Sequence, residues 1–162
     1  MKSQHLFDRL KQKSPYENFI KNNPDSYLYA IFCILSNEEK EGDKIQFDFI
    51  LPKSKRIAIA EYPFDEIKVS LQEITPLPEK LNLEEDFLDF EDLKEEIAKA
   101  QTKNKDKSNL NKIIAVLKNN VWDITGLTTT VDILKLKIDS KTRECIHFKK
   151  ENLMNFVQLK KK

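Results

Sequence analysis

The chain has 162 residues, a mass of 19.1 kDa and a formal net charge of +1. Charged residues make up 34% of it, but ten phenylalanines, four tyrosines and one tryptophan supply the apolar groups that disordered chains lack. This length can bury a core without disulfides or metals, and the balanced charge argues against a dedicated nucleic-acid binder, which would be strongly basic.

The first half of the sequence predicts two helices followed by four strands. Residues 3–13 place Leu6, Phe7 and Leu10 on one helical face. Ser14, followed by a first-turn proline and a glutamate three residues on, indicates a capping box that begins a second helix. Asn23-Pro24 ends that helix. Alternating or continuous apolar runs then predict strands over residues 27–35, 44–51, 56–62 and 66–74.

The second half predicts one helix, four strands and a short terminal helix. Residues 91–101 have helical spacing, and Asp89 precedes them as a plausible cap. Asn119-Asn120 suits a two-residue hairpin turn, because asparagine tolerates a positive φ. Residues 151–159 space Leu153, Phe156 and Val157 like a short helical lid. Strands are predicted over residues 112–118, 121–127, 132–139 and 143–150.

The two halves have the same order of elements, and their apolar residues match at nearly constant spacing. Ser26, Leu28, Ile31 and Leu35 lie 82 positions before Ser108, Leu110, Ile113 and Leu117. Ile45, Phe47, Ile57 and Ile59 lie 77 positions before Trp122, Ile124, Leu134 and Leu136. Strands share a composition, so chance explains part of this agreement, but the shared order favours an internal repeat.

These elements predict an α+β fold of two related halves. Each half is expected to be a helix packed on a four-stranded antiparallel sheet, because strands joined by short turns pair antiparallel. The halves would span residues 1–80 and 81–162 and pack together as one unit, since each is small for independent stability. The sequence leaves open whether the two sheets stack or join.

Residues 121–148 resemble the closing strands of PepSY domains. The resemblance lies in a tryptophan-led strand (Trp122 to Thr125), a strand that ends in Ile138-Asp139, and a return strand at 142–146 with Arg143 where glycine is usual. Residues 23–28 and 45–62 resemble the same module more faintly, so the chain is similar over 14–150 to uncharacterised archaeal proteins with two PepSY-like halves. The resemblance implies a cystatin-like shape and an inhibitory, chaperone-like or ligand-sensing role, with no catalytic residues to transfer.

Signals for export, membranes and cofactors are missing from the sequence. The N-terminus has no apolar run of signal-peptide length, and the longest apolar stretch, residues 27–35, is shorter than the about 20 residues of a membrane span. Cys33 and Cys145 lie inside apolar runs and are expected to be reduced thiols; their proximity is left open. His5 and His147 are the only histidines, and no metal motif occurs. We therefore expect a cytoplasmic protein with no membrane segment, metal or cofactor.

Four features could carry a function, and each has a structural explanation. Trp122 could stack on a ligand, but its place in an alternating strand favours the core. His147 could be a pH switch, but an isolated strand histidine is more often simply packed or exposed. Lys135 and Lys137, with Lys112 and the tail 160–162, could bind phosphates, but such lysines usually keep a sheet soluble. The acidic residues could dock a basic partner or bind calcium weakly, but they suit a helix entry; they are Glu84, Glu85, Asp86, Asp89, Glu91 and Asp92.

No arrangement of nucleophile, base and oxyanion donors is visible, and Gly42 and Gly126, the only glycines, cannot build a phosphate-binding loop. The sequence therefore predicts a protein that is not an enzyme. We expect a binding or regulatory module that contacts a protein partner, or a second copy, through a sheet face or an exposed edge strand. The alternatives are a small-molecule sensor with a pocket between sheet and helix, and a weak nucleic-acid binder.

Overall fold

The computed structural model describes residues 2–36, 42–83 and 87–152. Over these residues it has helices α1 (Ser3–Lys11), α2 (Ser14–Asn22) and α3 (Phe90–Lys103). Its strands are β1 (Tyr27–Ser36), β2 (Lys44–Leu51), β3 (Arg56–Glu61), β4 (Ile67–Glu73), β5 (Leu110–Lys118), β6 (Val121–Thr128), β7 (Asp132–Asp139) and β8 (Cys145–Asn152).

All eight strands belong to one antiparallel sheet in the order β4-β3-β2-β1-β5-β6-β7-β8. The expected two halves, each a helix on a sheet of its own, are therefore wrong. The reason is the pairing of β1 with β5, which sets Ile31 opposite Leu117 and Leu35 opposite Ile113. Strand β1 is apolar on both faces and lies in the middle of the sheet, between β2 and β5.

The side chains of β3 and β7 contradict the internal repeat. The 77-residue spacing equates Ile57 and Ile59 with Leu134 and Leu136. Leu134 and Leu136 are buried, whereas in β3 the buried residues are the alanines next to the isoleucines, Ala58 and Ala60. Successive strand residues point to opposite faces, so the supposed equivalents lie on opposite faces of the sheet.

The helices cover one face of this sheet and build the core with it. The Phe7 ring of α1 lies 5.5 Å from Phe47 and 6.2 Å from Phe49, and the Phe19 ring of α2 lies 5.9 Å from Phe49. Buried residues of α3, including Leu93, belong to the same apolar cluster as these rings. We call this side of the sheet the covered face, and the other side the open face.

A buried carboxylate ties α1 to α3. Ser3 donates to Asp89 from its backbone N–H, at 2.8 Å, and from its hydroxyl. The N–H of Phe90 also donates to Asp89, at 2.7 Å, so the expected N-cap of α3 is confirmed. These bonds compensate the burial of Asp89, which is 7% exposed. Helix α1 therefore starts where α3 starts, although the two are far apart in sequence.

Several local predictions can be compared directly with the structure. The second helix ends at Asn22 as expected, but its capping box is wrong: Lys13 is the N-cap, Ser14 is the first helical residue, and the N-cap makes no side-chain hydrogen bond. The turn at Asn119-Asn120 is confirmed, with φ of 52° and 61°. The predicted helical lid is wrong at residues 151 and 152, which belong to β8; residues 153–159 lie outside the described part of the chain.

Candidate functional site

Trp122 belongs to the core, as expected. Its side chain is fully buried on the covered face, and the indole N–H donates to the carbonyl oxygen of Leu88 at 2.7 Å. The N–H of Leu88 in turn donates to the carbonyl of Ser140 at 2.6 Å. Trp122 thus fixes the segment that enters α3 against the end of β7, and its ring offers no surface to a ligand.

The lysines of β7 and β8 lie beside acidic partners. On the open face, Lys135 and Lys149 approach Glu151 at 3.5 and 2.9 Å, and Lys137 lies opposite Asp123 of β6. These pairings interrupt the basic surface that a phosphate backbone would need. His147 is exposed on β8, opposite Lys137 on the side away from Asp123.

The acidic stretch enters a helix as expected where the structure describes it. Asp89 caps α3, and Glu91 and Asp92 lie in its first turn, where carboxylates favour the helix dipole. Residues 84–86 lie outside the described part. Across residues 2–36, 42–83 and 87–152, no group of three or more His, Cys, Asp or Glu side chains is placed to hold a metal ion.

The two cysteines lie on strands four positions apart in the sheet, which puts them about 19 Å from each other. That distance excludes a disulfide between them within one folded chain. Cys33 is fully buried on β1, and burial, reinforced by the charges of Asp43 and Asp89, raises the pKa of its thiol to about 12. Cys33 is therefore a protonated, apolar core residue at neutral pH.

The sheet has two edges, and they differ in chemistry. On β4, Leu71 is 86% exposed and Val69 is 44% exposed, and Leu71 lies within a register shift between β3 and β4. On β8, Ile146 is 55% exposed but the strand continues through Lys149 and Lys150. Lysines protect an edge strand from pairing with another chain; β4 carries one, Lys68, and β8 carries two.

A hollow of about 190 Å³ lies beside the start of β4. Exposed Tyr62 and Pro63 form part of its wall, and Ile59 and Lys68 come from β3 and β4. Its carboxylates are Glu61, Asp65 and Glu66. Glu66 pairs with Lys68 at 3.4 Å, so the hollow keeps a net negative charge.

The open face of the sheet is apolar along its centre and on β3, where Ile57 and Ile59 are half-buried. Phe32 and Ile34 of β1 lie beside Val116 and Ile114 of β5, and all four side chains are half-buried. Their neighbours in the sheet already cover much of them. Among the described strand residues, the exposed large apolar side chains are Val69, Leu71 and Ile146, which lie on the two edge strands.

A cleft of about 410 Å³ opens on the covered side, between α1, α2 and the start of β1. Residues 80–83 form its outer wall. They are held there by two hydrogen bonds, from the Leu81 N–H to the Leu28 carbonyl at 2.8 Å and from the Tyr27 hydroxyl to the Pro78 carbonyl at 2.6 Å. The apolar lining consists of Phe7, Tyr16, Ile20, Tyr27, Leu28, Phe49, Leu81 and Leu83.

The polar lining of the cleft is basic or neutral. Lys11 and Lys80 are its charged residues among those that the structure describes, and Gln4, Ser26 and Asn82 complete the set. The Lys11 ammonium lies 4.5 Å from the centre of the Phe7 ring. Burial raises the pKa of the Tyr16 hydroxyl above its ordinary value, so tyrosine is neutral here. The hydroxyl oxygen of Ser26 is buried without a hydrogen-bond partner in the described part of the chain.

Comparisons with known proteins bear on the fold. No protein-family model matches the chain, and no curated protein matches it significantly. It is similar to a crystal structure from Clostridium difficile 630, of a protein described as a putative lipoprotein. The TM-score is 0.54 at 15% identity, covering 88% of this chain and 97% of that chain. At this identity the likeness concerns the fold alone.

This comparison and the single sheet correct two expectations. The PepSY-like, cystatin-like architecture with an internal repeat is not supported, because the eight strands form one sheet. The cytoplasmic location is contradicted by the neighbour's description, since lipoproteins are anchored to membranes or exported. Within the described residues, no helix is long and apolar enough to cross a membrane.

Proposed function

We propose that this protein is a non-catalytic binding module that takes an extended segment of a protein partner along the free edge of β4. The observation that carries the proposal is the exposure of Leu71 and Val69 on that edge. An edge strand has backbone N–H and C=O groups without a neighbouring strand, and an extended segment can pair with them while alternate side chains add specificity.

The edge is favoured over the open face by where exposed apolar surface occurs. Phe32, Ile34, Ile114 and Val116 on the open face are half-buried by their neighbours, so little further apolar area is gained by covering them. Leu71 has nearly all of its side chain in water. A partner strand beside β4 would remove that surface from water and would satisfy backbone groups at the same time.

The hollow beside β4 specifies the partner's charge. Glu61 and Asp65 face it without an ion-pair partner among the described residues, next to the Glu66–Lys68 pair. A lysine or arginine at one end of the bound segment would be attracted there, because complementary charges orient a binding partner. The expected partner segment therefore alternates apolar and polar residues and carries a basic residue at one end.

The test is a selection from a library of displayed nine-residue random peptides, using the full chain as bait. We expect the enriched peptides to alternate apolar residues and to carry a basic end. The strongest peptide, labelled with fluorescein, should bind the wild-type chain in a fluorescence anisotropy titration. The substitution Leu71→Lys should weaken binding more than tenfold, because it places a charge on the apolar edge.

The matched control is Ile146→Lys on β8, an exposed apolar residue on the opposite edge, which should leave affinity unchanged. A second control methylates alternate backbone nitrogens of the peptide, which should abolish strand pairing without changing its side chains. The proposal is wrong if no peptide is enriched, if Leu71→Lys and Ile146→Lys behave alike, or if the methylated peptide binds as well as its parent.

A further inference from the structure

We infer that the cleft between α1, α2 and residues 80–83 binds a small amphipathic carboxylate, a molecule with an apolar body and one negatively charged end. This site is separate from the β4 edge, and it would give the protein a small ligand in addition to a protein partner. Its volume of about 410 Å³ lies in the range of pockets that hold small organic molecules, about 300–1,000 Å³.

The lining of the cleft is suited to the apolar body of such a ligand. Phe7, Tyr16 and Phe49 form a continuous aromatic surface, with ring centres 6.0 to 6.4 Å apart. Leu28 forms part of the floor, and Leu81 and Leu83 lie in the outer wall. Aromatic and aliphatic linings are typical of pockets that bury most of a ligand's surface.

The charges of the cleft select the polar end. Lys11 and Lys80 contribute two positive charges, and no carboxylate lines the cleft within residues 2–36, 42–83 and 87–152. A carboxylate can accept charge-assisted hydrogen bonds from ammonium groups, which are stronger than bonds between neutral groups. An amine or a neutral alcohol of the same length would lack these bonds, and the amine would also be repelled.

The hydroxyl of Ser26 is the second observation that points to a ligand. Ser26 is one of the lining residues, and its hydroxyl oxygen is buried without a protein partner in the described chain, although buried polar groups are almost always hydrogen-bonded. A hydroxyl can donate to a carboxylate oxygen, so a ligand of this class would satisfy it. The cleft thus offers two ammonium donors, from α1 and from the outer wall, and the unpartnered Ser26 hydroxyl lies beneath its lining at the start of β1.

The ligand class is tested with three ten-carbon probes: decanoate, decan-1-ol and decylamine, each below the concentration at which it aggregates. Isothermal titration calorimetry should show that decanoate binds at least tenfold more tightly than either of the others. Backbone amide shifts in ¹H–¹⁵N NMR spectra should move at Phe7, Tyr16, Leu28 and Leu81, which report the cleft.

Three single variants and one double variant assign the donors. Lys11→Gln and Lys80→Gln should each weaken decanoate binding about three- to tenfold, and together they should reduce it to the level of decan-1-ol. Ser26→Ala should weaken it about fivefold. Lys53→Gln, an exposed lysine in the β2–β3 turn, is the matched control and should have no effect. All of these changes are small, and circular dichroism would verify that each variant folds.

Three results would overturn the inference. One is equal affinity for decanoate and decan-1-ol, which would mean that no charge is recognised. Another is full decanoate affinity in the double lysine variant. The third is a set of amide shifts centred on Phe32, Ile34, Ile114 and Val116, which would place the ligand on the open face. None of these results depends on the β4 edge, so the two proposals fail separately.

Discussion

The four strands β1–β4 and the four strands β5–β8 fill the covered face in different ways. In β5–β8 the third strand contributes large residues, Leu134 and Leu136, beside the fully buried Trp122. In β1–β4 the third strand contributes Ala58 and Ala60 to the same face. The space above these alanines is taken by aromatic rings of β2 and α1 instead.

This difference shows how packing leaves room for binding. Phe49 and Phe47 lie opposite Ala58 and Ala60 across the β2–β3 pair, and Phe7 reaches down from α1 to meet the two rings. Phe7 also meets Tyr16 of α2 edge to face at 6.4 Å, and the cleft opens beside these rings. Both proposed binding features, the cleft and the β4 edge, belong to the half with the smaller strand residues.

We call the packing of β5–β8 closed, because large buried side chains fill its covered face, and that of β1–β4 open, because a cleft lies beside it. Removing Trp122 tests the closed packing most strongly. Trp122→Ala should lower the free energy of unfolding by about 3–5 kcal/mol, because it removes a fully buried ring and leaves the Leu88 carbonyl without its donor. Urea denaturation measures the change. An unchanged midpoint would show that this half is not closed around Trp122.

Exchanging residue sizes on the third strands tests the comparison directly. Leu134→Ala should cost about 2–5 kcal/mol, because it opens a cavity in the closed half. Ala58→Leu should cost about 1–3 kcal/mol, because the rings of Phe47 and Phe49 occupy the space. Thermal and urea unfolding of both variants would measure this, and a stabilising Ala58→Leu would mean that the first half has an unfilled space instead.

The second strands differ in burial, and a smaller effect follows. Ile45 is only partly buried on β2, although its spacing equates it with Trp122. Ile45→Ala should therefore cost about 1–2 kcal/mol, below the range for a fully buried isoleucine. Urea denaturation of Ile45→Ala and Trp122→Ala under the same conditions measures the ratio of their losses in unfolding free energy. A loss as large as that of Trp122→Ala would contradict the open packing of this half.

The ionised carboxylates of Asp48 and Asp139 should affect the stability of the fold in opposite directions. Burial raises the pKa of Asp48 on β2, although Gln46 donates to it, whereas the backbone N–H groups of Thr142 and Lys141 lower the pKa of Asp139. At neutral pH, Asp48→Asn should stabilise the protein, because it removes a charge that folding disfavours, and Asp139→Asn should destabilise it.

Both effects should shrink on acidification. The stability due to Asp139 is present above its unfolded pKa and is lost as the pH falls through its lower folded pKa; the penalty at Asp48 appears as the pH rises through its raised pKa. Urea unfolding at pH 3 and pH 7 measures the two differences. A pH-independent difference would mean that the substitutions act through contacts instead of charge.

Most elements could be predicted from the sequence, because their signals are local. The alternation in β7, the Asn119-Asn120 turn and the Asp89 cap each depend on residues close together in the chain. The joining of the strands into one sheet could not be predicted, because it depends on the pairing of β1 with β5. The prediction of an internal repeat was wrong, because the alternating pattern of β3 does not show whether Ala58 or Ile57 faces the covered side of the sheet.

The candidate sites were beyond sequence analysis for a related reason. Residues of the cleft come from α1, α2, the start of β1, the end of β2 and the 80–83 segment. No regular spacing in the sequence therefore relates them to one another. Leu71 belongs to the alternation with Ile67 and Val69 that predicts a strand over residues 66–74. The register shift opposite Arg56 leaves its side chain in water, and bulges of this kind re-aim side chains without a clear sequence signal.

The β1–β5 pairing also sets an order of events during folding. Every other strand pair consists of strands that follow each other in the chain and are joined by a short connection. The β1–β5 pair instead brings together residues far apart in sequence, such as Ile31 and Leu117. Loop closure over a long separation carries the larger entropic cost, so each group of four strands can form before the two meet. The rate-limiting barrier is then expected at the seam in the middle of the sheet, and substitutions at Cys33 or Ala115 should slow folding more than equally destabilising ones near either edge.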